Sequence, residues 1–381
     1  MAYVFDKDAF QPSAEINSLQ KGIDVKNKEG VEIFCAICSG KDLAKYGDKV
    51  DKVMKYMKNL GEKALAGDLR AQAEINAIRE IQIQAPLLQR LNLFSYMGDY
   101  QNVPYNTELR YKVYQLQGKK AGEQAASGSF AFPTQVWREG TFPTKTITGG
   151  MAVDYREYAS GNVDSLGVMQ EQVVTEMLNQ MFYDVVFNLY STINAIAVDG
   201  GLTVFFEVGG INQVALDTAI RLIRRWGNVT ISGDYSVISQ LEPFAAFNTV
   251  LGAQPTTQFS EAVMEEIRKT GLLKMYRGCP VVEIPNTYNL TRVLVGGGLA
   301  PAGDYFDTML PEGLLFLTPK GMPTSPLQVG IKGGVKSMAG QDINLGLNAQ
   351  RFDIEFGSIV IPEYVPMLGL LSDNNFVVDK R

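Results

Sequence analysis

Histidine is absent from this chain. Its absence removes Ser-His-Asp chemistry, imidazole general bases and imidazole metal ligands together. Cysteine is scarce, with only Cys35, Cys38 and Cys279. So few in a chain this long give no disulfide framework and fit a reducing compartment. Lysine and arginine are missing from residues 157–220, a stretch that carries Glu157, Asp164, Glu171, Glu176, Asp184, Asp199, Glu207 and Asp217. A face built from that stretch repels phosphate. With a net charge of −6, the chain is not a nucleic-acid binder that works by charge alone. The first residues, MAYVFDKDAF, lack a basic start and an apolar core, so no signal peptide is expected. The most apolar window, 181–198, contains Asp184, Asn188 and Asn194 and reads as a buried helix end, not a membrane span.

What is present is ordinary for a globular protein. The 381 residues are 46% apolar and 20% charged, enough for two or three subdomains around sizeable cores. One stretch organises the rest. In residues 163–193 the apolar side chains come in adjacent pairs: Val173/Val174, Met177/Leu178, Met181/Phe182, Val185/Val186 and Leu189/Tyr190. Recurrence every three or four residues marks an amphipathic helix. A strict step of four over-rotates a helix of 3.6 residues per turn, so the stripe winds around the axis and meets different neighbours along its length. Asp164 or Ser165 is placed to cap its start.

Residues 1–95 read as a helical, outlying region. Met57, Leu60 and Ala64 follow helical spacing, Gly67-Asp68 breaks and restarts the helix, and Pro86 is expected to close it. Next, Leu109, Tyr111 and Val113 alternate with Arg110, Lys112 and Tyr114, which is strand periodicity. A small, polar tip at residues 117–129 includes Lys119 and Lys120. A return strand follows through Trp137, Phe142 and Ile147. Together these form a long hairpin. A two-stranded ribbon is marginal in water, so its aromatic residues need a surface: their own domain or a neighbouring subunit. After the long helix come a strand at 202–208, a helix at 212–226, a strand at 229–232 and a helical stretch at 235–250 interrupted by Pro243. Ser260 caps a helix at 261–270. The turn at Arg277-Gly278 leads into a strand at 279–284, and a further strand is expected at 292–295. From 314 to 371 the pattern is mostly strand, clearest at Phe352-Asp353-Ile354-Glu355-Phe356.

The candidate motifs are weak. Cys35-Ala36-Ile37-Cys38 has C-x-x-C spacing but lies in a strand-like apolar run and has no further metal ligands, so it reads as two packed, reduced cysteines. The glycines at 296–298 lack the spacing and following helix of a dinucleotide fingerprint. Residues 330–336 place Lys332 and Lys336 among glycines and read as a flexible basic loop. Asp353 and Glu355 share one strand face, and Asp304 and Asp307 sit in a loop. All four read as solvated surface charge.

The order of parts resembles the HK97-fold major capsid proteins of tailed bacteriophages. Arg277-Gly278-Cys279-Pro280 with its following strand, and the late strands through Ile361 and Pro362, carry that resemblance locally. It implies an α+β fold with a retained N-terminal arm (1–95), an extended E-loop hairpin (96–152), a peripheral domain with the spine helix (153–210), an axial α/β domain (211–320), returning peripheral strands (321–361) and a closing axial strand (362–381). It implies a homo-oligomer of hexamers and pentamers, an icosahedral shell around double-stranded DNA held without sequence-specific contact, and scaffolding and portal proteins as partners. No membrane contact, no cofactor and no enzymatic activity are implied. The location is the virion, after assembly in the host cytoplasm. Inter-subunit contacts fall, by this resemblance, on Tyr111, Lys119, Lys120, Trp137 and Phe142 of the E-loop. Competing readings are an encapsulin-like compartment, another virion structural protein, or an α/β enzyme acting through carboxylates.

Overall fold

The computed structural model describes residues 33–34, 36–37, 44–114, 136–160, 163–198, 204–208, 211–245, 247–251, 254–258, 272–287, 308–310, 313–342 and 347–373. Helices and sheets are mixed, as the sequence predicts. The chain divides into two compact units. Unit 1 comprises Met1–Gln89, Thr148–Glu176 and Val335–Asp353, and unit 2 comprises Arg90–Ile147, Met177–Gly334 and Ile354–Arg381.

In unit 1, α1 (Lys49–Leu65) buries Met57, Leu60 and Ala64 and packs against α4 (Tyr155–Ser160). The predicted break at Gly67-Asp68 is present, and the Asp68 carboxylate accepts from the Arg70 amide at the start of α2 (Leu69–Leu91). Pro86 does not close the helical region; it lies inside α2. A proline removes one backbone donor, but Ile83, Leu87 and Leu91 on both sides of it are fully buried, and that burial holds the helix through the gap. Ile33, Phe34, Ala36 and Ile37 are helical, not strand-like, while Cys35 and Cys38 lie outside the described residues.

Beside its buried apolar residues, α2 also carries polar groups inward. Arg79 is fully buried and donates from Nε to the Tyr158 hydroxyl at 2.6 Å. Asn348 Nδ2 donates to Asn76 Oδ1 at 2.7 Å, and Gln350 Nε2 donates to the Asn76 carbonyl at 3.1 Å. Ser337 donates to Glu80 at 2.7 Å. Burial pushes the Glu80 carboxyl above its ordinary range, and the Ser337 bond pulls in the other direction. Amides and hydroxyls that meet in this way satisfy groups that would otherwise be costly to bury.

The spine helix, α5, runs Val163–Val198, five residues beyond the predicted end. Because it begins at Val163, Asp164 and Ser165 lie in its first turn, past the N-cap position. All the predicted apolar pairs are buried, except that Tyr190 is only partly so. At 36 residues it is about 54 Å long, and it contributes residues to both units.

Unit 2 holds a six-stranded sheet in the order β5-β14-β11-β6-β10-β9, made of β5 (Val204–Val208), β6 (Asn228–Gly233), β9 (Met275–Tyr276), β10 (Cys279–Glu283), β11 (Leu314–Lys320) and β14 (Gly369–Asp373). Helix α6 (Gln213–Ile223) starts where Asn212 caps the Val214 amide at 2.8 Å, and it lays Leu216, Ala219, Ile220 and Ile223 into the core with Ile231, Leu315 and Leu317. The predicted turn at Arg277-Gly278 joins β9 to β10 in two residues, with φ of +48° and +77°. Positive φ at both central positions is the hairpin turn whose twist matches its strands. The predicted helical stretch at 235–250 is shorter. It comprises α7 (Tyr235–Ile238), a 3-10 turn at Ser239–Ala245 that contains Pro243, and then strand β7 (Phe247–Leu251), paired antiparallel with β8 (Gln254–Gln258).

A second sheet has the order β1-β12-β13-β4, from β1 (Asp99–Val103), β4 (Lys145–Val153), β12 (Leu327–Asp342) and β13 (Leu347–Val360). The predicted basic loop at 330–336 is instead the middle of β12, in parallel register with β1 from Gln328 to Lys332. Gly333 and Gly334 there have φ of +76° and +72°, so the strand bends without ending. In β13, Phe352, Ile354 and Phe356 face inward as expected. Asp353 is not simply solvated. Partial burial raises its carboxyl, but hydrogen bonds from Arg351 and Thr148 outweigh this and hold it below the ordinary range. The predicted helix at 261–270, the strand at 292–295, the glycines at 296–298, and Asp304 and Asp307 lie outside the described residues.

Phe94, in the short helix α3 (Phe94–Met97), is fully buried with its ring centroid 4.5 Å from Phe182 and 5.6 Å from Phe356. Phe94→Ala is expected to lower the stability of unit 2 by about 3–5 kcal/mol. Urea denaturation followed by tryptophan fluorescence measures this. A loss below about 1 kcal/mol would mean that the three rings do not share one core.

Candidate assembly surface

The hairpin is formed by β2 (Arg110–Tyr114) and β3 (Trp137–Thr141), paired antiparallel with Tyr111 opposite Gly140 and Tyr114 opposite Trp137. Directly paired residues share a face, so the register sorts the side chains. One face holds Tyr111, Val113, Arg138 and Gly140. The other holds Arg110, Lys112, Tyr114, Trp137, Glu139 and Thr141.

The first face is covered by the chain's own unit 2. Tyr111 and Val113 pack against Ile361, Tyr364 and Met367, the last two in the 3-10 turn Pro362–Met367. The Tyr111 ring lies over Gly140, where an added Cβ would come within 2.5 Å of it. Any side chain at position 140 would displace the ring. Two contacts then fix the hairpin beyond packing. The Tyr364 hydroxyl accepts from the Tyr114 amide at 2.7 Å and donates to the Tyr114 carbonyl at 3.0 Å, which occupies both backbone groups of the last described residue of β2. Arg138, one residue into β3, pairs with Glu363 of the same turn. The hairpin therefore leaves its root in a set direction.

The second face has no such cover among the described residues. Lys112 lies over the Trp137 ring at 4.9 Å, and Arg110 is 3.9 Å from Glu139. Trp137 remains 52% exposed and Val136 58%. An exposed ion pair contributes little, and a cation over an exposed ring about 0.5–1 kcal/mol. This ladder orders the face without burying it.

The five residues expected to make inter-subunit contacts thus part company. Trp137 lies on the open face. Tyr111 is on the covered face, and Phe142 is 5% exposed with its ring 6.4 Å from that of Tyr111. Within one copy both pack against their own unit, Phe142 fully and Tyr111 in part, because one aromatic residue in two along a strand turns inward. Lys119 and Lys120 lie outside the described residues. Sequence reasoning missed Tyr364, Glu363 and Arg138. The prolines at 362 and 366 are a signal that could have marked a turn, but nothing local shows that its tyrosine reaches a strand 250 residues earlier.

Beside the hairpin root is a cleft of about 700 Å³, lined among others by Tyr96, Tyr100, Arg110, Lys112, Lys320 and Met322. Burial pushes the Tyr100 phenol to about 12, so it stays protonated at neutral pH and is no general base. Among the described residues no cluster of three or more Cys, Asp or Glu side chains is gathered to hold a metal, and no helix is long and apolar enough to cross a membrane. The acidic stretch 157–220 is partly neutralised by cations from elsewhere in unit 2. Asp184 meets Lys145 at 3.4 Å and Asp217 meets Arg277 at 2.7 Å, so it is not a uniformly phosphate-repelling face.

An aromatic ribbon with one covered face and one open face points to association. Comparison with known proteins names the kind. The model of the family described as "SPbeta prophage-derived putative capsid protein YonB" matches residues 15–372. The chain belongs to this capsid-protein family. Among solved structures, the chain is similar to one from Gordonia phage Cozz (14% identity, 74% of this chain and 85% of that chain covered, TM-score 0.46). Microbacterium phage Oxtober96 gives 10% identity over 74% and 90% of the two chains, with a TM-score of 0.46. A virus-like particle from Pyrococcus furiosus gives 11% identity over 76% and 98%, with a TM-score of 0.42. No curated protein sequence matches the chain.

In this capsid protein, Tyr364→Phe removes the hydroxyl that serves both backbone groups of Tyr114. Loss of one such buried bond costs about 1–2 kcal/mol, so exchange of the Tyr114 amide should speed by about tenfold. Hydrogen-exchange mass spectrometry of the hairpin peptide reads this. Unchanged exchange would mean that Tyr364 does not hold the hairpin.

Proposed function

We propose that this chain is the major subunit of an HK97-type shell, assembling through hexamers and pentamers into an icosahedral container for double-stranded DNA. The observation that carries the reading is the open face of the β2–β3 hairpin, held in a set direction by Tyr364 and Glu363 and presenting Trp137 outward. A neighbouring subunit is the surface that a marginal ribbon requires. Repetition of one contact in a closed symmetric assembly makes weak interfaces sufficient, because many act together. Family membership supports a structural role over a catalytic one. Scaffolding and portal proteins are the partners that such assembly calls for, and the virion is the site of action. The DNA is held without sequence-specific contact, consistent with a net charge of −6.

Negative-stain electron microscopy of the chain, expressed alone and with its scaffolding partner, tests this. Closed shells with co-purifying DNA are expected. Shells that contain protein cargo instead would replace the genome container with an enzyme compartment. A monomer under all conditions would contradict the reading. Trp137→Ala, at an exposed site, is expected to leave the circular dichroism spectrum unchanged and to lower the yield of closed shells at least about tenfold, the effect of about 1.4 kcal/mol at one repeated contact. Shell yields equal to wild type would remove Trp137 from the interface.

A further inference from the structure

The six-stranded sheet carries opposite charge at its two ends. β10 runs parallel to β6 and β5 parallel to β14, while β11 is antiparallel to both β6 and β14. β5, β14, β6 and β10 therefore all point one way. Their carboxyl ends lie together at one end of the sheet and their amino ends at the other, about 17 Å away along β6.

At the amino end the residues are cationic. Arg224 and Arg225 lie in the turn before β6, Arg277 lies in the turn ahead of β10, and Lys320 closes β11 in register with Asn228, the first residue of β6. All four are exposed. The Arg224 guanidinium is 3.8 Å from the position a Cβ on Gly278 would take, so the helix turn and the β9–β10 turn meet. Among the described residues, Asp217 contacts this group through Arg277 at 2.7 Å. Trp226 is exposed among these cations, at 40%.

At the carboxyl end the residues are acidic. Asp234 follows β6, and Glu283 closes β10, joined to β6 where the Ile284 amide donates to the Gly233 carbonyl at 2.8 Å. In the backbone register, Glu207 of β5 stands opposite Ser372 of β14, whose last residue is Asp373. No Lys or Arg occurs within two residues of Glu207, Asp234, Glu283 or Asp373 in the sequence. Burial raises the Glu283 carboxyl, and the negative charge of Asp234 adds to it, as like charges crowded at one place require.

The two ends cannot neutralise each other within one copy, because their separation exceeds the Debye length of about 8–10 Å. A second copy placed head to tail brings them together. We infer that the basic end of this sheet in one subunit docks on the acidic end of the next, so that successive copies of this chain join around a ring. Such a heterologous contact closes into a ring when its rotation permits. Complementary potentials also steer encounter and fix register. A nucleic-acid polyanion would use the basic end alone and leave the acidic end without a role. The inference rests on the shell reading and assigns one of its contacts.

The test is a charge exchange in the full-length chain, read by native mass spectrometry for rings and by electron microscopy for shells, with circular dichroism as the folding control. Arg224→Glu with Arg225→Glu, and separately Asp234→Lys with Glu283→Lys, are each expected to lower ring formation by about tenfold or more, and all four together to restore it to within about threefold of wild type. Wild-type ring formation should also weaken as salt rises. Folded variants that form rings as wild type does, or a folded quadruple variant that recovers nothing, would overturn the inference while leaving the shell intact. So would salt-insensitive ring formation. Reversal at the basic end that spares rings but strips co-purifying nucleic acid would reassign that end to a polyanion. A wild-type chain that never associates would overturn both this inference and the shell reading.

Discussion

A two-stranded ribbon has two faces, and this chain covers one of them. The arrangement of the hairpin follows from that constraint. Tyr111 and Val113 rest on Tyr364 and Met367, and Arg138 and Glu363 pair across the same turn. The covered face gives the ribbon a fixed root, and the open face gives it a reason to meet another molecule. A ribbon covered on both sides would be one more layer of a domain. A ribbon covered on neither would not hold its shape in water. The turn at Pro362–Met367 sets the balance, because its tyrosine supplies the hydrogen bonds that a third strand would otherwise make.

Both units have apolar cores, and unit 1 adds a set of inward polar contacts. In unit 2, alternating strands and an amphipathic helix place Ile231, Leu315, Leu317, Leu216 and Ile223 in one apolar core, where area removed from water is the stabilising term. In unit 1, helix α2 buries Ile75, Ile78, Ile83 and Leu87 and adds hydrogen bonds through Asn76, Arg79, Glu80 and Gln82, where geometry contributes beside burial. Apolar contacts tolerate sliding, whereas hydrogen-bonded amides specify one register. The charge pattern has the same local logic. In the six-stranded sheet, exposed Arg224, Arg225, Arg277 and Lys320 lie at the amino ends of the parallel strands, and Asp234 and Glu283 lie at the carboxyl ends.

Much of this was legible in the sequence where one periodicity ruled a long stretch. The spine helix, the inward Phe352, Ile354 and Phe356, the restart at Gly67-Asp68 and the turn at Arg277-Gly278 are fixed by local spacing and turn chemistry. The misreadings fall where tertiary contact overrode local preference. Residues 330–336 look like a loop because glycine and lysine are poor strand formers, yet pairing with β1 makes them a strand. Pro86 looks like a stop, yet burial on both sides carries the helix past it. The inward turn of Tyr111 and Phe142, against the outward turn of Trp137, depends on which face meets the Pro362–Met367 turn, far along the chain. Alternation in a strand gives two faces but does not say which one is covered.

The central claim is that the open face of the hairpin becomes an interface in the assembled particle. Hydrogen–deuterium exchange compared between assembled particles and dissociated subunits tests it most directly. The account predicts that amides from Trp137 to Thr141 gain protection on assembly, while the core strand β6 within each subunit exchanges equally slowly in both states. Equal exchange of the hairpin in particle and subunit would contradict the account and leave the open face without a partner.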